Sequence, residues 1–168
     1  TVMDRRVVES PSVSVVPATA AAVTALVRSC SPRTLRRRFF LPVDPDPDRI
    51  LVSHARYLLP GRGGPAAWVG LVGGQPAGLL TLALGAGHVA EVALLVADRF
   101  QGLGVARQMV SDVLRDPRWR GWTFHAVVQP QNATAMRLLR RQDIGAAAVV
   151  DRSPGEWRYA VTVPAPAL

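Results

Sequence analysis

The chain has 168 residues, 49% hydrophobic and 19% charged, which fits one globular domain with its own core and excludes a disordered chain. No apolar run reaches the ~18 residues that span a bilayer, and the charged opening TVMDRRVVESPS lacks the apolar stretch of a secretory signal; a cytoplasmic protein with no membrane partner is expected. The net charge is +8 and all 20 basic residues are arginine, a field that favours anionic partners such as nucleotide-like cofactors.

Nucleic acid is disfavoured as a partner. Apart from Arg36-Arg37-Arg38 the arginines are scattered, with no RNP, zinc or basic-helix motif beside them. Cys30 is the single cysteine, so no internal disulfide forms and a small packed residue in a reducing compartment is expected. No metal-ligating cluster is read.

Residues 1–12 are expected to be a tail, 13–163 one domain and 164–168 a second tail. Val13 to Val16 forms a short strand ended by Pro17. Ala18 to Ser29 is helical, with Val23, Leu26 and Val27 on one face. Ser31-Pro32 opens a short basic helix through Phe40. Residues 42–48, with three prolines, form a loop. Arg49 to Leu59 is a helix, with Asp48 as its N-cap and His54 on its apolar face as a packed or surface residue. Ala66–Val72 and Pro76–Leu84 form a hairpin around Gly73-Gly74-Gln75. After the Gly85-Ala86-Gly87 turn, His88 to Ala97 is the third strand of a meander, with Glu91 its one carboxylate.

The character changes at Asp98. Gln101-Gly102-Leu103-Gly104-Val105-Ala106 is a glycine-punctuated turn, and Val105, Met109, Val110, Val113 and Leu114 then recur at helical spacing. A strand, Gly loop and helix in this order suits a phosphate: glycine lets backbone approach a ligand, and the first helical amides have no intrahelical partner. An ordinary strand-to-helix turn uses the same glycines. A dinucleotide turn fits worse, because Arg107 occupies the place of the third glycine. Gly121 to Val128 is the next strand and Gln131 to Arg141 the next helix. Gly145–Asp151 and Glu156–Val163 close the chain as a strand pair around Ser153-Pro154-Gly155.

This order of elements, with Q-x-x-G-x-A at Gln101–Ala106 and with Asn132 shortly after the strand ending at Val128, resembles the GNAT superfamily of acyl-CoA N-acyltransferases. The resemblance spans about Val13 to Val163. It implies an α/β (α+β) fold: a mixed, mostly antiparallel sheet of six or seven strands, about four helices, and a splay between the Glu91 and His125 strands. Acetyl-CoA as co-substrate would lie in that splay. Backbone of Leu94, Leu95 and Val96 would pair with its pantetheine arm, and an N–H near Val96 would polarise the thioester carbonyl. Amides of Gln101, Gly102, Leu103, Gly104, Val105, Ala106 and Arg107 would hold the pyrophosphate. Asn132 would bond the pantetheine or the acceptor, and Arg107 or Arg140 would reach a phosphate.

Two positions depart from the family pattern. Leu139 stands seven residues after Asn132, where many members place a tyrosine acid, and Asp143-Ile144 replaces the usual Gly-aromatic pair. Glu91, a carboxylate among apolar neighbours, suits a general base that takes the proton of the attacking amine; a solvated residue on an exposed sheet face is the competing reading. His88 is read as a turn residue and His125 as a satisfied sheet residue, both backups for the base. The A-E-V-A strand start, the missing tyrosine and Ser31-Pro32…Arg37-Arg38-Phe39-Phe40 resemble the bacterial protein-lysine acetyltransferase branch. The expected acceptor is therefore a protein lysine ε-amine. A small-molecule amine or a non-catalytic acyl-CoA-sensing module are the alternatives, and monomer and homodimer both fit.

Overall fold

The structure is a computed structural model that describes residues 9–61, 63–130, 132–140 and 147–165. Asp143-Ile144, the expected helix bounds Gln131 and Arg141, and the expected strand start at Gly145 lie outside the described residues, as do residues 1–8 and 166–168 of the two tails. Among the described residues a seven-stranded sheet has the order β1-β2-β3-β4-β5-β7-β6. The strands are β1 (Ser14–Pro17), β2 (Ala66–Val72), β3 (Gln75–Leu84), β4 (Val89–Val96), β5 (Thr123–Val128), β6 (Ala147–Ser153) and β7 (Glu156–Thr162). Every pairing is antiparallel except β4 with β5.

The hairpin forms where its glycines predict. Gly73 and Gly74 both have positive φ (56° and 77°), which a two-residue turn between twisted strands requires. Gln75 pairs with Val72, so β3 begins one residue earlier than the sequence suggests.

Among the described residues six helices flank the sheet: α1 (Ala20–Ser29), α2 (Pro32–Phe39), α3 (Pro47–Ser53), α4 (Ala55–Leu58), α5 (Val105–Leu114) and α6 (Ala133–Leu139). The count exceeds the expected four partly because the 49–59 segment divides at His54. That residue leaves the helical region (ψ 14°), its Nδ1 shares a 2.8 Å hydrogen bond with Ser53 Oγ, and its ring packs on Phe39 at 4.6 Å. Such local side-chain bonding competes with helix propagation. The cap of α3 is Asp46, not Asp48: Asp46 Oδ1 accepts from Asp48 N at 2.8 Å, and Pro47 at the first helical position needs no N–H acceptor.

The two sheet faces bury separate clusters. Val23, Leu26, Leu35, Ile50, Leu79 and Leu95 gather under α1 to α3. Leu80, Leu82, Val105, Met109, Val113 and Phe124 gather under α5. Glycine suits the second spacing: a Cβ at Gly78 would meet Met109 Sδ at 2.7 Å, so any other residue there would make the packed Met109 side chain shift.

β4 and β5 pair over three rungs, Val89 with Thr123, Ala90 with Phe124 and Glu91 with His125. Beyond Glu91 the strands part, while β4 stays paired with β3 to Val96. The splay thus begins at the carboxylate and leaves one edge of β4 without a strand neighbour.

Candidate active site

The open edge of β4 can be followed group by group. Val89 O accepts from Gly85 N, and Ala97 N donates to Ala77 O, so the odd-numbered residues of β4 turn their polar groups toward β3. Antiparallel alternation then aims the even-numbered ones at the gap. Leu94 N–H, Leu94 C=O and Val96 N–H face the opening. Val96 C=O is taken by Gln101 Nε2 at 3.0 Å. Leu95 borders the same channel, but it pairs with Leu79 and its side chain is buried.

At the end of β4 the chain makes a single 3-10 turn at Asp98–Phe100 and enters the glycine loop. Gly102 and Gly104 have φ of 75° and 81°, the left-handed region that glycine enters without strain. Nothing lies within 4 Å of a Cβ built at either, so conformation rather than crowding calls for glycine. The first bond inside α5 runs from Gln108 N to Gly104 O at 3.0 Å. Val105 and Ala106 therefore present amides with no intrahelical acceptor. The adjoining cavity, about 240 Å³, is walled by Gly102, Gly104, Ala106, Arg107 and, from α6, Arg137. Leu103 is 37% exposed on the loop and Arg140 is exposed; neither borders it.

From this cavity a channel between β4 and α6 passes Leu94, Val96, Gln101 and Asn132. Asn132 caps α6, its Oδ1 accepting from Ala135 N at 3.2 Å. The channel adjoins a cleft between the parted strands, walled by Glu91, Leu94, Phe124, Val127, Asn132 and Leu139. The residue at the tyrosine position thus reaches the cleft, but as a hydrocarbon wall.

Glu91 borders both this cleft and a broader basin of about 590 Å³ on the α2 side of the sheet. The basin's walls include Arg38, Phe39, Phe40, His54 and Tyr57. The carboxylate is exposed, and it shares a sheet face with Ala93, which also borders the basin.

His125 and His88 border neither the cleft nor the basin. His125, the register partner of Glu91, has a buried Nδ1 with no hydrogen-bond partner among the described residues; it is not the satisfied residue expected. His88 is a turn residue as expected, with φ 57°, stacked on Trp122 at 5.2 Å.

Sequence reasoning missed the clamp that holds α2 over the site. Asp98 accepts from Ser31 N and Ser31 Oγ, each at 2.7 Å, and from Thr34 Oγ1 at 3.1 Å. Gln101 Nε2 also reaches Thr34 Oγ1 at 3.1 Å. Burial opposes ionisation of Asp98, but the bonds from Ser31 and Thr34 outweigh it and hold its pKa below the ordinary carboxylate value. The readable signal was Ser31-Pro32 as a helix start; its partner 67 residues on was not. The clamp carries Arg37 and Arg38 to the cleft. Burial lowers the pKa of the Arg38 guanidinium to about 10, with the nearby Glu91 charge pulling it back up.

Comparison with known proteins agrees with this geometry. The model of the acetyltransferase (GNAT) family matches residues 31–144, well over half of the chain. No curated protein is significantly similar in sequence. Among solved structures, the fold is similar to the GNAT domain of S. lividans PAT (TM-score 0.67, 23% identity, 87% of this chain and 88% of that one). It is also similar to yncA, a putative acetyltransferase from Salmonella typhimurium solved with its cofactor acetyl-CoA (0.58, 21%, 89% and 90%). A third is the ribosomal-protein-S18-alanine N-acetyltransferase from Escherichia coli (0.64, 12%, 93% and 97%). At these identities the likeness concerns the fold alone. The matched family model, the splayed sheet and the glycine loop at the end of β4 agree, and the chain belongs to the GNAT family of acetyltransferases.

Proposed function

We propose that this protein moves the acetyl group of acetyl-CoA to a primary amine, the favoured acceptor being a lysine ε-amine of another protein, with Glu91 as the general base. One observation carries the reading. The carboxylate sits at the last rung before the sheet parts, bordering at once the cleft on the donor side and the open basin on the other.

The residues fit an acyl-CoA. The open edge of β4 at Leu94 and Val96 can pair with the pantetheine amides as an added strand would. Val96 N–H faces the gap and can polarise the thioester carbonyl. The amides of Val105 and Ala106 and the guanidinium groups of Arg107 and Arg137 suit a pyrophosphate. Asn132, with Oδ1 committed to its helix, has its Nδ2 amide to offer the bound arm. The thioester supplies an activated acyl carbon; every remaining task falls to the protein.

An amine with a pKa near ~10 arrives as ammonium and must lose a proton before or during attack. Glu91, exposed at the mouth of the basin, can take that proton directly or through a water. A lysine side chain suits the basin because Phe39, Phe40 and Tyr57 offer aromatic surface to its four-carbon stem. One similar structure is named for acting on a protein acceptor, an alanine of ribosomal protein S18 rather than a lysine.

Release of free thiol from acetyl-CoA, followed against lysine-bearing proteins and small amines in parallel, tests this. Release with protein acceptors supports acetyl transfer to a protein amine, and release with small amines alone moves the acceptor to that class. Tight binding without release under any acceptor would overturn the enzyme reading in favour of an acyl-CoA-sensing module.

A further inference from the structure

We propose that Arg38 receives the leaving sulfur: its guanidinium stabilises the coenzyme A thiolate as the C–S bond breaks, in place of the side-chain acid that position 139 lacks. The inference rests on the reading above that the cleft takes an acyl thioester.

The first argument is position. Arg38 is the only described residue that borders the acceptor basin, the cleft and the donor channel together. Glu91 borders the first two and Leu94 the last two. The sulfur of a thioester whose arm follows Leu94 and Val96, and whose carbonyl carbon meets an amine held at Glu91, has to lie where these spaces join. The second argument is unmet bonding. The Arg38 guanidinium is half-buried and stacked over Phe39 at 4.7 Å, yet no hydrogen bond or ion pair within 4 Å engages it among the described residues. On the same helix Arg36 pairs with Asp44 at 3.2 Å, whereas Arg33 and Arg37 are exposed to solvent. A half-buried cation whose donors are unspent, with the charge of Glu91 acting on it from beyond ion-pair distance, is completed by an anion placed against it.

The third argument is elimination among proton donors. Leu139 carries none. Tyr57 borders the basin but neither the cleft nor the channel, and the Tyr159 hydroxyl points at Met136 Sδ, 3.3 Å away. A cation needs no proton transfer to do the work. The amine nitrogen bonds to the acyl carbon and the C–S bond breaks with its electron pair left on sulfur. The amine proton goes to Glu91 and then to solvent. Arg38 keeps its own proton throughout, because a pKa near 10 still leaves it charged at neutral pH.

The test reads the thiol itself. Free coenzyme A is bound to the wild type and to Arg38→Gln, and the thiolate absorbance is titrated. Arg38 predicts a bound thiol that ionises at lower pH than in solution, with most of that shift lost in Arg38→Gln. The same variant should lose about 100- to 1000-fold in kcat, the scale of removing one charge-stabilising donor, while acetyl-CoA affinity holds. Added guanidinium should restore part of the rate in Arg38→Ala, and Arg33→Gln, an exposed change on the same helix, should match wild type. Equal thiol titration in wild type and Arg38→Gln would overturn the proposal, as would loss of acetyl-CoA affinity in proportion to the rate. Failure of wild type to bind acetyl-CoA at all would instead overturn the acyltransferase reading on which the proposal stands.

Discussion

Replacing Asp98 by Asn should loosen α2 from the glycine loop, and the size of the effect can be worked from the clamp. Three donors converge on one carboxylate: Ser31 N, Ser31 Oγ and Thr34 Oγ1. Hydrogen bonds to a charged group contribute ~1.5–3 kcal/mol each when well shielded, but Asp98 is exposed, and exposed charge interactions are worth far less. An asparagine also keeps one acceptor oxygen. About 2 kcal/mol in total is therefore expected, equivalent to a fall in Tm of ~4–8 °C for a chain of this length. The pH dependence follows from the sign of the shift. The folded pKa lies below the ordinary value, so the ionised clamp stabilises the fold fully above the unfolded carboxylate pKa of ~3.9 and is lost as pH falls through the folded value. Urea unfolding of wild type and Asp98→Asn at neutral pH, and again in stepwise acid, should show a gap that closes as pH drops. A gap below ~0.5 kcal/mol at neutral pH, or one that persists unchanged in acid, would refute the reasoning.

Two further changes probe other parts of the account. Gly104→Ala places a side chain at φ 81° and should cost ~1–2 kcal/mol in unfolding experiments; the KM for acetyl-CoA should rise, because the amides of Val105 and Ala106 are displaced. Cys30 is buried, and burial, helped by the charge of Asp98, raises its thiol pKa to about 12. It should resist thiol reagents in the folded protein at neutral pH and react at once in denaturant, measured by mass spectrometry of the intact chain.

Most of the fold was legible because its signals are local. Apolar runs between glycine turns wrote β3 and β4, paired glycines wrote the hairpin, and the apolar spacing from Val105 to Val113 wrote α5. The splay point at Glu91 and His125 followed from a resemblance, not from any spacing in the chain, since nothing within β4 or β5 marks where the two strands part. The α3–α4 break and the shift of the cap from Asp48 to Asp46 were missed because several caps compete in Asp44-Pro45-Asp46-Pro47-Asp48, and because a ring contact between His54 and Phe39 has no sequence signature. The Asp98 clamp was missed for the same reason: it joins residues 64 and 67 positions apart. Arg37 and Arg38 read only as part of a short basic helix, and the clamp turns their face into a wall of the cleft.

The central claim is that Glu91 takes the proton of an amine attacking acetyl-CoA. Its most direct test pairs calorimetric titration of acetyl-CoA with steady-state thiol release for wild type and Glu91→Gln. The account predicts equal acetyl-CoA affinity in the two proteins and a rate in the variant lower by about 100-fold or more at neutral pH, within the range of general-base catalysis. Equal rates, with affinity equal as well, would remove Glu91 as the base and contradict the account.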